Sequence, residues 1–175
     1  MSVRDEAIRA HRRCTGCISE DKGVLRREGC SLEIPRDRAL GIDCDTCNVF
    51  SDPLAKKPDF VILYEGGQSN PAPVQPRWII VEMERNIGDA GEVLQQVSAG
   101  ASTVRTDDRF QFSGSPALLE GLVLHSGKCH VAQADLIRQR GARMGGVRIT
   151  VRLRKAAGMG VRLVEDGSGL SFRPR

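Results

Sequence analysis

The sequence predicts an α/β fold with a mixed central sheet flanked by helices. Two apolar runs, Phe60-Val-Ile-Leu-Tyr64 and Trp78-Ile-Ile-Val81, have the continuous hydrophobicity of strands covered on both faces. The segment between them, Glu65 to Pro76, is too short to hold a crossover helix, so the two strands are expected to pair as an antiparallel hairpin. Beyond Glu84 the pattern alternates helix and strand, which places helices on the faces of the sheet.

A chain of 175 residues fits one compact domain, 1–175, and can bury a core without disulfides. Aromatic residues are only 4% of the chain, so the core must rest on Val, Leu, Ile and Ala. That scarcity also argues against a base-stacking platform for single strands, which needs several exposed rings. The net charge of +4 is compatible with a polyanionic partner. The cations are spread along the chain, at Arg12-Arg13, Arg26-Arg27, Lys56-Lys57, Arg138 to Arg143, and Arg152 with Arg154 and Lys155. Each cluster alone reads as a solvated face, and a phosphate-tracking surface needs several to converge. With no apolar leader and no stretch of membrane-spanning length, a soluble intracellular protein without a membrane partner is expected. In a reducing compartment its six cysteines are thiols or metal ligands.

Taken in order, Val3 to Arg13 reads as a helix, with the acidic pair Asp5-Glu6 in the first turn, where it suits the dipole. A cysteine-rich element from Cys14 to Cys47 follows, with short strands expected at Gly23–Leu25 and Ser31–Ile34. Asp59–Tyr64 and Arg77–Glu84 are the two strongest strands. A helix is expected from Asp89 to Ala101, with Val93, Leu94 and Val97 at helical spacing and Gly91 and Gly100 weakening it. A strand at Ala117–His125 and a helix at Val131–Arg143 come next. Val147–Leu153 then alternates apolar residues against Arg148, Thr150, Arg152 and Arg154, as a half-exposed strand with a basic outer face should. Val161–Val164 is the last expected strand, and the Gly158-Met-Gly160 and Gly167-Ser-Gly169 segments read as turns.

Three acids stand out by position. Asp59 opens one strand, and Glu82 and Glu84 end the next. Residues two apart in a strand share a face, so the two glutamates point to one side, and hairpin pairing brings Asp59 beside them. Acids gathered at one sheet end repel one another unless a cation holds them, and Mg²⁺ is the natural occupant. The segments Lys57-Pro58-Asp59-Phe60-Val61-Ile62-Leu63 and Trp78-Ile79-Ile80-Val81-Glu82-Met83-Glu84 resemble the PD-(D/E)XK, or restriction-endonuclease-like, nuclease superfamily, over about Val3 to Leu124. That resemblance implies Asp59 and Glu82 as ligands of Mg²⁺ or Mn²⁺, and a carbonyl contribution from Met83. The family's Lys position is Glu84, an E-x-E ending in which the acid acts as base or further ligand. The resemblance also suggests an additional acid, Glu33 first and Glu6 second, and a site-facing glutamine on the following helix, Gln96 or Gln95.

Cys14-Thr-Gly-Cys17 and Cys44-Asp-Thr-Cys47 are two C-x-x-C pairs separated by 26 residues. Two such turns can complete a tetrahedral four-cysteine shell, with Zn²⁺ the default ion and an iron–sulfur cluster the alternative. Cys30 and Cys129 read as small core residues and His125 as a hydrogen-bonded structural residue, with a second metal site at His125, Cys129 and His130 the alternative. The expected function is a metal-dependent nuclease that hydrolyses phosphodiester bonds, with DNA the leading substrate. Its alternative is a catalytically inactive nuclease-like fold that binds nucleic acid or serves assembly. A protein partner subunit or a homodimer fits either reading, because the chain is short for an autonomous sequence-specific nuclease.

Overall fold

In the computed structural model, the described residues are 2–11, 23–52, 54–67, 73–156, 158, 160–166 and 169–175. Their elements are, in chain order, α1 (Val3–Ala10), β1 (Val24–Arg27), β2 (Cys30–Glu33), β3 (Ala39–Asp43), β4 (Phe60–Tyr64), β5 (Arg77–Glu84), α2 (Ala90–Thr106), β6 (Leu118–His125), α3 (Val131–Arg140), β7 (Ala142–Met144), β8 (Val147–Ile149), β9 (Val151–Lys155), β10 (Val161–Asp166) and β11 (Gly169–Pro174). The fold is mixed α/β.

The central sheet has five strands in the order β3-β4-β5-β6-β9. Strands β3, β4 and β5 form an antiparallel meander, with Phe60 opposite Val81. The polar segment between β4 and β5 thus closes a hairpin, as its length requires. Helix α2 then carries the chain across, so β6 lies parallel to β5, and β9 lies parallel to β6.

Alternation along β4 and β5 divides the core. Val61, Leu63, Trp78 and Ile80 join α1, α2 and α3 on one face. Phe60, Ile62, Ile79, Val81 and Met83 pack with Leu25, Leu32, Leu163 and Phe172 on the other. The second layer is a four-stranded sheet, β1-β2-β10-β11, in which β2 and β10 pair in parallel through Leu32 and Val161. Helices were expected on both faces, but all three pack on one, and a second sheet covers the other. A strand apolar on both sides reports that both faces are covered, and not by what.

Local signals set the helix ends. Ser2 and Asp5 form a capping box on α1. Asp89 accepts from the Gly91 and Glu92 amides at the start of α2. Helix α2 runs past the expected Ala101 to Thr106, whereas α3 stops at Arg140 instead of Arg143. At that stop Gly141 has φ +63°, and the Arg148 guanidinium donates to the carbonyls of Arg138, Gln139 and Arg140. The alternating segment Val147–Leu153 is two strands, β8 and β9, not one. Its basic outer face is also committed: Arg152 donates to the Leu170 carbonyl and stacks over Phe172, and Arg154 donates to the Phe172 carbonyl. These arginines clamp β11 onto the central sheet. Strands β3, β7 and β11 had no counterpart among the expected strands, and β7 begins where the helix was expected to end.

Candidate active site

Glu82 and Glu84 leave β5 on its helical face, in the same alternation as Trp78 and Ile80. Asp59 stands just before β4. Its amide donates to the Val81 carbonyl at 3.1 Å, and its Oδ2 accepts from the Met83 amide at 2.7 Å. The carboxylate thus takes the donor that β4 leaves unpaired beyond its first residue, which fixes Asp59 over the end of β5. Pro58 ahead of it packs against helix α2 at Gly100, where a Cβ would lie 2.5 Å from Pro58 Cγ and 2.7 Å from Ile80 Cγ2.

A cation arrives from the second sheet. Arg27, the last residue of β1, sits with Nε 3.7 Å from Asp59 Oδ1 and Nη2 3.2 Å from Asp43 Oδ2, and it also pairs with Asp45. Its guanidinium lies 5.2 Å above the Phe60 ring centroid. The Glu28-Gly29 turn that follows has positive φ at both residues, 51° and 76°. Ser126, at the end of β6, anchors that turn by donating from Oγ to the Glu28 carbonyl at 2.8 Å.

The electrostatics of the acids are those of a site short of positive charge. Glu82 is only 3% exposed, and its Oε2 is buried without a hydrogen-bond partner. Burial, reinforced by the charges of Asp59 and Glu84, pushes its carboxyl up to about 9. Burial also raises Asp59, to about 6, against the opposing pull of the Met83 amide and Arg27. Glu84 is raised by burial and by the charges of Glu28 and Glu92. Glu92, on α2, is paired with Lys56 at 2.7 Å. Lys57 reaches Asp45, at 3.0 Å.

Of the expected site residues, the fold brings together Asp59, Glu82, Met83 and Glu84. Gln96 lies one turn beyond Glu92 on α2, and its Oε1 is buried without a partner. Gln95 faces a separate groove lined by Arg140 and Arg143. Glu33 is held by Arg162 at 3.0 Å and Arg175 at 2.7 Å in the second sheet. Glu6 accepts from Ser113 Oγ and the Gly114 amide, tying α1 to the segment before β6. Cys44 and Cys47 are buried on the helical face, and the Cys44 amide donates to the Asp59 carbonyl. Burial, with Cys47, Asp43, Asp59 and Glu82 nearby, pushes the Cys44 thiol well up. Cys14 and Cys17 lie outside the described residues. Among the described residues no group of three or more His, Cys, Asp or Glu side chains could hold a metal ion. The sequence had shown Arg27 only as half of a charged pair, with nothing to mark its approach to Asp59.

Asp59 and Glu82 offer two hard oxygen donors at the end of the sheet. Mg²⁺ is commonly held by one or two carboxylates and keeps several waters. Asp59 and Glu82 are two carboxyls whose charge is otherwise poorly compensated, and one of them has an orphaned oxygen. No helix among the described residues is long and apolar enough to cross a membrane. No family model, curated protein or solved structure matches the chain.

Proposed function

We propose that this chain is a metal-dependent nuclease of the PD-(D/E)XK type, hydrolysing phosphodiester bonds of nucleic acid, with DNA as the first substrate to test. The observation that carries the reading is Glu82, a buried carboxyl with a partnerless oxygen beside Asp59. An ionised carboxylate in that position is strongly disfavoured, and a divalent cation bound by Asp59 and Glu82 removes the penalty. The topology supports the same reading: an antiparallel meander bears the acids, a helix crosses over, and a parallel strand follows. When bound, Mg²⁺ or Mn²⁺ would polarise a phosphoryl oxygen and make a coordinated water more acidic.

The protein's own groups have separate tasks. Asp59 and Glu82 hold the cation. Met83 presents its backbone to the same place, because a strand residue's carbonyl leaves on the side of its N–H, and that N–H is taken by Asp59. Glu84, partly buried among like charges, is suited to accept a proton from water. Arg27 supplies the positive charge that the E-x-E ending lacks. A guanidinium is a fixed cation, so its role is to stabilise negative charge on phosphate and not to serve as a base. Gln96 can orient water through its unpaired oxygen.

The test is cleavage of single-stranded and duplex DNA and RNA with Mg²⁺ or Mn²⁺. Asp59→Ala should abolish cleavage with the fold intact, and Glu84→Ala should do the same. A protein that binds nucleic acid but cleaves none, with or without a partner subunit, would retire the enzyme reading. The inactive nuclease-like binding module would then stand, and Glu84 in the Lys position is the observation that favours it. That module should bind without divalent metal and weaken with salt.

A further inference from the structure

A cleft of about 840 Å³ lies at the C-terminal edge of the central sheet, lined by Asn86, His125, Lys128, Cys129, His130 and Lys155 among others. It is a different place from the acid pair, although the two are neighbours. In register, Glu84 of β5 stands opposite His125 of β6, which stands opposite Lys155 of β9. All three alternate with residues of the helical core, Ile80, Val123 and Leu153, so they share one sheet face. Two strand spacings separate Glu84 from Lys155, about 10 Å between backbones.

Three observations say what the cleft would hold. Its charge is of one sign: Lys128 and Lys155 are exposed, no carboxylate lines the walls, and no ion pair uses either lysine among the described residues. The amino end of helix α3 opens there, with His130 as its N-cap, so amide dipoles add positive potential. The third observation is His125, 9% exposed, whose Nδ1 lies 3.1 Å from the Gly127 carbonyl. A carbonyl can only accept, so Nδ1 carries the proton. The His125 ring lines the cleft.

We propose that this cleft is a phosphate subsite, holding the phosphate of one nucleotide on Lys128, Lys155, His125 and the α3 amino end. The proposal rests on the nuclease reading for the polymer that brings the phosphate, and on its own residues for the site. The volume is that of a small-molecule pocket, enough for a phosphate with its sugar. The segment from Asn86 to Gly88, which links Glu84 to α2, forms one wall, so a chain leaving the acid pair along that segment would enter the cleft.

The test uses the full chain carrying Asp59→Ala, without divalent metal, so that cleavage plays no part. Binding of a labelled oligonucleotide is titrated across salt concentrations. Lys128→Ala and Lys155→Ala should each weaken it on the order of fivefold to tenfold and lower the salt slope by about one. Arg36→Ala, an exposed change before β3 at the opposite end of the sheet, should leave both unchanged. His125→Gln should weaken binding with the melting temperature retained. Competition by adenosine monophosphate separates the sources. Displacement at concentrations that saturate a site sensitive to both lysines assigns the cleft to a free nucleotide. Oligonucleotide binding that resists it, with the same sensitivity, assigns the cleft to the polymer. Affinity for both that ignores Lys128 and Lys155 overturns the subsite. Cleavage by the wild type with lysine-insensitive binding sinks the subsite alone, and lysine-sensitive binding without cleavage sinks the nuclease reading alone.

Discussion

At the scale of single residues, Glu82 decides the most. Its carboxyl is raised in the folded chain above its ordinary value of 4.5, and Asp59 above 3.8. A raised acid binds its proton more tightly folded than unfolded, so metal-free stability should fall as pH rises from about 4 through about 9. Below the unfolded values both states are protonated, and the penalty is absent. Glu82→Gln should flatten this slope and stabilise the metal-free protein at pH 8, because the buried carboxyl no longer has to ionise. Thermal melts across pH check it, and an unchanged slope would remove the electrostatic case for the site. The same protonation predicts that Mg²⁺ or Mn²⁺ binding at pH 7 releases about one proton, readable by calorimetry in buffers of different ionisation enthalpy. The motif made Asp59, Glu82 and Glu84 legible because strand alternation and hairpin pairing are local rules. Arg27 was not legible: its place beside Asp59 depends on how the second sheet docks.

At the scale of elements, Gly100 changes meaning between sequence and structure. Along α2 it reads as a weak point, yet it is where the helix meets β5 and the residue before Asp59. Gly100→Ala should gain helix propensity and still destabilise, by about 1–3 kcal/mol, because the methyl has to displace Pro58 or Ile80. It should also depress cleavage, since Pro58 leads directly into Asp59. A melt and a cleavage assay on one preparation check both, and a more stable variant would contradict the close approach. The Cys44–Cys47 turn has a related position, with its first amide on the Asp59 carbonyl. We propose that it supplies half of a four-cysteine Zn²⁺ site with Cys14 and Cys17. About one zinc per chain should then be found by elemental analysis, with a lower melting temperature after chelation or Cys44→Ser. Brown colour would point to iron–sulfur, and metal-free protein indifferent to Cys44→Ser would end the proposal.

At the scale of the whole molecule, the central sheet is enclosed by helices on one side and by β1-β2-β10-β11 on the other. Phe172 fills that second interface and receives Arg152 over its ring. Phe172→Ala should destabilise by about 3 kcal/mol. Because β1 belongs to the same sheet and carries Arg27 to the acids, cleavage should fall as well. Denaturant titration and a cleavage assay check this, and a loss of stability with full activity would uncouple the second sheet from the site. The sequence alone determined the central strands, the hairpin between them, the helix after Glu84 and the face that bears the acids. Each of these follows from periodicities of two and 3.6 residues or from the length of a connection. The tertiary structure alone decided that all three helices share one face, that Val161 pairs with Leu32, and that Arg152 and Arg154 bind β11 instead of a ligand. The same holds for the row Glu84–His125–Lys155, gathered from three strands. The physical reason is range. A four-residue strand such as β1 or β2 has too few positions to declare its partner, and side chains far apart in the chain meet only when the layers pack.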